Sequence, residues 1–259
     1  MAETIRIDVD DRGVATLWLA RGVKHNAMNA AMIAELGAAC DALAEDAAVR
    51  VVVLAAEGRS FCAGGDLAWM QDQMAATADE RAAGARQLAT MLGALDTLPK
   101  PLIGRVQGQA FGGGIGLMSV CDLAIGATDA NFALTEVRLG LIPATISPYV
   151  IKRIGEPAAR RMMLSGRVFD SDGAAELGLL SRVVAPEALD AALEEEIAPF
   201  LKAAPGAVAK TKRLIRGQGG GVDPARIEAS IAALVEAWED PEADAGIGAF
   251  FAKEKPPWA

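Results

Sequence analysis

Histidine occurs once in this 259-residue chain, at His25, and tyrosine once, at Tyr149. A Ser-His-Asp triad would have to run through His25, and no G-x-S-x-G elbow accompanies it. Cysteine is also scarce: Cys40, Cys62 and Cys121 are odd in number and lack metal-ligand spacing, which argues against a disulfide framework and against a zinc site. A reducing cytoplasm is the default for such a chain. Positive charge is in deficit, with 25 Lys and Arg against 34 Asp and Glu. The resulting net charge of −9 speaks against a broad basic face for nucleic acid or anionic lipid. Long hydrophobic runs are missing too. The longest uncharged stretch, Val106–Cys121, has 16 residues with two Gln and five Gly, short of the roughly 20 apolar residues that a membrane span needs. The opening residues, MAETIRIDVD, are charged and contain no apolar core, so no leader peptide is expected there.

What is present is enough apolar material, 52% of residues, to bury a sizeable core. Val14–Leu19 alternates and predicts a strand, whereas Met32, Leu36, Cys40 and Leu43 recur at helical spacing through Asp46. Val51–Leu54 then reads as a buried parallel strand. The rhythm returns with a helix through Leu88, Met91, Leu92 and Leu95, which must stop before Pro99, and with strands at Leu102–Val106 and Leu123–Ala127. From Asp170 onward the pattern is mostly helical, over Ala174–Leu177, Pro186–Leu201, Ala207–Ile215, Pro224–Trp238 and Ala243–Phe251, with Gly217–Gly221 as a loop. The expectation is an α/β core over residues 1–195 and a helical region over 196–259.

Two glycine-rich turns stand out, Ser60-Phe-Cys-Ala-Gly-Gly-Asp66 and Gly112-Gly-Gly-Ile-Gly116, each after a strand and before a helix. Such turns let backbone amides approach a ligand, and glycines opening a helix leave N–H groups unpaired. Close helix packing explains each turn equally well by itself. The spacing fails the dinucleotide fingerprint and no Walker lysine follows. Two separated amide-presenting turns suggest instead a two-donor oxyanion hole for an enolate or tetrahedral oxyanion. For an acid or base, His25 lies between Lys24 and Asn26, where a surface or hydrogen-bonding role outweighs catalysis. Glu136 lies among apolar neighbours just past a strand, where a raised pKa would suit proton transfer; an ion pair with Arg138 or Arg105 is the alternative.

Taken in order, the segments His-Asn-Ala-Met-Asn at 25–29, Phe-Cys-Ala-Gly-Gly-Asp at 61–66, Ala-Phe-Gly-Gly-Gly-Ile-Gly at 110–116, Glu136 with Gly-Leu-Ile-Pro at 140–143, and Ala-Phe-Phe-Ala-Lys-Glu-Lys-Pro-Pro at 249–257 resemble the crotonase, or enoyl-CoA hydratase/isomerase, superfamily. The resemblance spans nearly the whole chain. It implies a spiral of ββα repeats, C-terminal helices that build a homo-trimer or a hexamer, and an acyl-CoA thioester substrate, with coenzyme A as part of that substrate and no permanently bound cofactor. Carried over residue by residue, the oxyanion-hole amides fall on Gly65 and Gly113. Ala63 and Gly64 would line the adenine side, Lys24 and Ala27 the loop over the CoA chain, and Phe250 with Lys253 the C-terminal part of the CoA pocket. Two-carboxylate hydratases of the family have a glutamate where this chain has Gly116; the other glutamate matches Glu136.

That loss, together with Ile142-Pro-Ala-Thr-Ile-Ser-Pro-Tyr149, resembles the methylglutaconyl-CoA and carboxylated, branched enoyl-CoA hydratase branch. Gly116 is expected to leave space for such a substrate. Ser147, Thr145, Tyr149, the backbone N–H of Ala144 or a substrate carboxylate could take over the missing contact to water. A single-glutamate double-bond isomerase is the rival activity. A catalytically inactive CoA-binding protein is the rival of another class.

Overall fold

The computed structural model describes residues 3–219 and 221–259. The first two residues of the opening segment and Gly220 of the expected loop lie outside the described residues. β1 (Ile5–Val9) and β2 (Val14–Leu19) pair antiparallel. The chain then climbs through α1 (Ala30–Glu45), whose first turn is capped by the Asn29 side chain accepting from the Met32 N–H, into β3 (Val51–Ala56). All six residues of β3 are buried because it is covered on both faces. Val52, Leu54 and Ala56 enter the main core, while Val51, Val53 and Ala55 meet a second apolar layer that contains Ile197.

The second turn of the spiral contains α2 (Leu67–Ala75), α3 (Ala78–Thr97), β4 (Leu102–Val106), β5 (Ala110–Phe111) and α4 (Gly113–Val120). The third contains β6 (Leu123–Ala127), β7 (Asn131–Ala133) and α5 (Ser147–Met163), then β8 (Phe169–Asp170), α6 (Ser171–Glu176) and β9 (Arg182–Val184). The larger sheet has the order β1-β2-β3-β4-β6-β9, parallel from β2 onward, and β5-β7-β8 form a smaller one. This is the ββα spiral that the resemblance implies. It places both glycine-rich turns where strands of the two sheets hand over to helices.

Four helices complete the chain: α7 (Leu189–Lys202), α8 (Pro205–Gln218), α9 (Pro224–Glu239) and α10 (Pro241–Ala252). The division expected after residue 195 falls inside α7, which packs on the sheet through Leu189, Ala192 and Ile197. The helical region that leaves the sheet therefore begins with α8. The helix expected over Pro186–Leu201 splits into a 3-10 turn, Pro186–Ala188, and α7. Gly217 and Gln218 belong to α8 rather than to a loop. α5 escapes a reading by periodicity because Gly155, at φ +76°, and Pro157 interrupt its pattern.

Candidate active site

The loop around His25 is tied to the first glycine turn by a ladder of backbone bonds. Ala63 N–H donates to His25 O at 3.0 Å, Met28 N–H to Gly64 O at 2.7 Å, and Asp66 N–H to Met28 O at 2.8 Å. Asn26, fully buried with φ +52°, secures that loop from beneath. Its Nδ2 donates to the carbonyls of Glu57 and Ser60, both at 2.8 Å, and its Oδ1 accepts from the Arg21 N–H at 2.9 Å. Arg21 then pairs with Asp66 at 2.8 Å, and Asp66 caps α2 by accepting from Ala68 N–H. His25 Nδ1 lies 2.9 Å from Ser60 Oγ, which is the hydrogen-bonding role expected of it.

In this parallel bridge Met28 uses the groups of Gly64 and Asp66, so the N–H of Gly65 points to the opposite edge and has no acceptor among the described residues. Gly113 opens α4, and its N–H is one of the amides a helix leaves unpaired. The turn before it is fixed by Gly112, at φ +49°, whose N–H donates to Ala133 O at 3.1 Å. Phe111 N–H donates to Cys62 O at 2.9 Å, which links the two glycine turns to each other.

Glu136 begins a 3-10 turn just past β7. A Cβ built on Gly112 would stand 3.0 Å from its Oε1, so the carboxylate lies beside the turn that presents Gly113. Its Oε2 is sealed from solvent and has no hydrogen-bond partner among the described residues. The ion-pair alternative is not realised: Arg105 pairs with Asp190 at 2.7 Å, and Arg138 holds no carboxylate among the described residues. Burial pushes the carboxyl up to about 7, which suits an acid or base at neutral pH.

One cavity of about 560 Å³ joins these groups. Gly65, Gly113 and Glu136 are on its wall, as are Ala63, Gly64, Ala144 and Phe250. Lys24, Ala27, Lys253 and Gly116 are not. The space expected at Gly116 is filled, since a Cβ built there would lie 2.7 Å from Ile146 Cγ2. Ile146 thus covers the helix face where a second carboxylate would stand, and it lines the cavity in place of Gly116. Of the groups that could contact water, Ala144 N–H donates to Ile142 O at 2.8 Å, Ser147 Oγ to Ala144 O at 2.7 Å, and Tyr149 Oη to Ala89 O at 3.0 Å. Thr145 alone of these lines the cavity with a hydroxyl that makes no hydrogen bond among the described residues.

Sequence reasoning missed the rest of the wall, made by Trp69, Met70 and Gln73 of α2, Arg81 of α3, and Leu234 and Trp238 of α9. The spacing of Trp69, Met70 and Gln73 puts them on one face of a helix, and that of Leu234 and Trp238 does the same, but neither pattern says which helix faces which. No cluster of three or more metal-ligating side chains occurs among the described residues. Two free amides and an unpaired carboxylate with a pKa raised to about 7, all lining one cavity, can polarise a carbonyl and move a proton beside it.

The sequence model of the family described as enoyl-CoA hydratase/isomerase matches residues 10–259. The chain belongs to that family. Like other members with solved structures, it superposes closely on an enoyl-CoA hydratase from Mycobacterium avium, with a TM-score of 0.90 at 30% identity and all of both chains covered. Crotonyl-CoA hydratase from Syntrophomonas wolfei is 33% identical over 189 residues, 72% of this chain and 71% of that one. The mitochondrial methylglutaconyl-CoA hydratase of Mus musculus is 30% identical over 180 residues, 69% of this chain and 56% of that one.

Proposed function

We propose that this protein is an enoyl-CoA hydratase acting on a branched or carboxylated 2-enoyl thioester such as 3-methylglutaconyl-CoA. The observation that carries the reading is the unpaired Glu136 carboxylate, raised to about 7, on the same wall as the free amides of Gly65 and Gly113. The thioester oxygen accepts from both N–H groups. Glu136 takes a proton from water as the hydroxyl oxygen bonds to C3, and the C2–C3 π electrons shift to build enolate charge on the thioester oxygen. The proton held by Glu136 then goes to C2, so one carboxylate serves both transfers. Thr145 holds the water that a second carboxylate would otherwise position. Ala63, Gly64 and Phe250 line the CoA end, and the loop bearing Lys24 and Ala27 is bound to it through Ala63 and Met28. Lys253 sits just beyond, at the C-cap of α10.

The finer substrate is supported by the relation to methylglutaconyl-CoA hydratase; the exchange of a carboxylate for Ile146 opens no space for it. The same exchange leaves a single proton carrier and therefore also favours double-bond isomerisation. Incubation with crotonyl-CoA, 3-methylglutaconyl-CoA and a 3-enoyl-CoA separates the readings through the 2-enoyl thioester absorbance. Loss of absorbance with water addition is expected, fastest with the branched diacid thioester. A gain from the 3-enoyl substrate alone identifies an isomerase, and no change with any of the three identifies a binding protein without turnover.

The assembly is a trimer or a pair of trimers, a reading supported by exposed Leu164, Val168, Leu214 and Ile215. The three buried, unpaired cysteines fit a reducing compartment such as the cytoplasm.

A further inference from the structure

The polar groups on the cavity wall fall into two sets. Thr135, Glu136, Arg138 and Thr145 come from the segments that follow β7, whereas Gln73 and Arg81 come from α2 and α3. Around Gln73 and Arg81 the wall is apolar, built from Met70, Ala85, Leu88, Leu234 and Trp238. Arg81 is half-buried and has no carboxylate partner among the described residues. Its Nε donates to Gln73 O at 2.9 Å, its Nη2 to Met74 O at 3.3 Å, and its guanidinium lies 5.5 Å from the centre of the Trp238 ring. Those contacts fix the group in place and use two of its five N–H donors, leaving three. The Gln73 carboxamide, on the same cavity wall, makes no hydrogen bond among the described residues and so adds a second set of unused donors.

The position of this pair follows from α2. A Cβ built on Gly65 would lie 3.5 Å from the Trp69 ring and 3.8 Å from Met70 Cγ, so α2 starts at the amide that faces the thioester. At a rise of about 1.5 Å per residue, Gln73 stands about 9 Å further along the helix than Leu67. A cation held open at that distance, in a pocket otherwise fit for hydrocarbon, has a specific use. We propose that Arg81 and Gln73 form a carboxylate-binding subsite for the far end of the acyl chain, so that the enzyme selects thioesters of dicarboxylic acids over uncharged ones of the same length. This inference rests on the acyl-CoA reading of the cavity and supplies the chemical group behind the finer substrate. A planar fork of N–H donors matches a carboxylate better than an ammonium does.

Calorimetric titration with two saturated probes tests it, because neither can be hydrated: glutaryl-CoA, which ends in a carboxylate, and valeryl-CoA, which has the same number of carbons and ends in a methyl group. Glutaryl-CoA is expected to bind the wild-type protein at least about tenfold more tightly, with the advantage shrinking as salt is raised. Arg81→Met abolishes the advantage, Arg81→Lys retains part of it, and Gln73→Leu reduces it without removing a link between α2 and α3. Equal binding of the two probes by the wild type overturns the proposal, as does an advantage that survives in Arg81→Met. If Arg81→Met lowers both affinities alike, Arg81 is a brace between helices and the subsite is rejected. A glutaryl-CoA advantage in a protein that hydrates no enoyl-CoA would leave the subsite standing and remove the hydratase reading instead.

Discussion

At the scale of single residues, Glu136 carries the most consequence, because its burial without a partner affects both stability and rate. Its pKa rises from 4.5 in the unfolded chain to about 7 in the folded one. The folded state therefore binds more protons than the unfolded state between those values, and stability falls as pH rises through that window. Glu136→Gln removes the buried charge and is expected to stabilise the protein by about 3 kcal/mol above pH 7, a gain that disappears as pH falls toward the unfolded value. Thermal melts of the two proteins across that range check it. The same substitution should lower kcat on a 2-enoyl-CoA by at least about 10²-fold while binding stays within a few-fold, since proton transfer rather than affinity is lost. For the wild type, kcat/KM for hydration should rise with pH and reach half its plateau near 7, because the carboxyl must be ionised to accept a proton from water. A flat profile from pH 5 to 9 would show that another group moves the proton. The two glycine-rich turns and Glu136 stood out in short segments of telling composition, whereas the choice of Gly65 and Gly113 within those turns came from the family resemblance. Ile146 was not legible, because its contact with Gly116 joins segments that only the folded spiral brings together.

At the scale of elements, α4 carries the free Gly113 amide at its first position. Proline is tolerated at the first position of a helix, so Gly113→Pro can delete the N–H while the helix is kept. It should cost at least about 10²-fold in kcat, whereas Gly113→Ala, which retains the donor, should cost much less once the Met28 methyl has moved aside. Circular dichroism establishes that both variants are folded before rates are compared. Three residues on, Gly116→Glu drives a side chain into Ile146 and should destabilise the protein. Adding Ile146→Ala makes room, and the double variant should melt above the single one; equal melting temperatures would show that Ile146 does not occupy the site. α1 and β2, with clear periodicity, and β3 and β4, as short apolar runs between helices, could be read from sequence. β5, β7 and β8 could not, since strands of two or three residues carry no period and exist only through pairing with one another.

For the molecule as a whole, the ββα spiral was legible through family resemblance, while its relation to the last helices was not, because two glycines set it. Gly140, at φ +70°, lies against the Glu242 carbonyl, and Gly246 lies against the Leu139 carbonyl, so α10 is pressed onto the turn that starts at Glu136. Leu141, Trp238, Ala243 and Ile247 form a small core of their own at this junction. A chain ending at Glu239 should therefore keep most of its sheet signal yet lose turnover by more than binding, which circular dichroism and a hydration assay would establish together. Retained turnover would show that the turn holds its shape unaided. The order of synthesis gives this arrangement a further consequence. The turn that presents the Gly113 amide is fixed only when β7 of the third coil offers the Ala133 carbonyl to Gly112, and the backing of the turn that starts at Glu136 is made after every strand. A chain synthesised only through β7 would thus hold the Gly113 turn while the turn that starts at Glu136 still lacked α10 behind it.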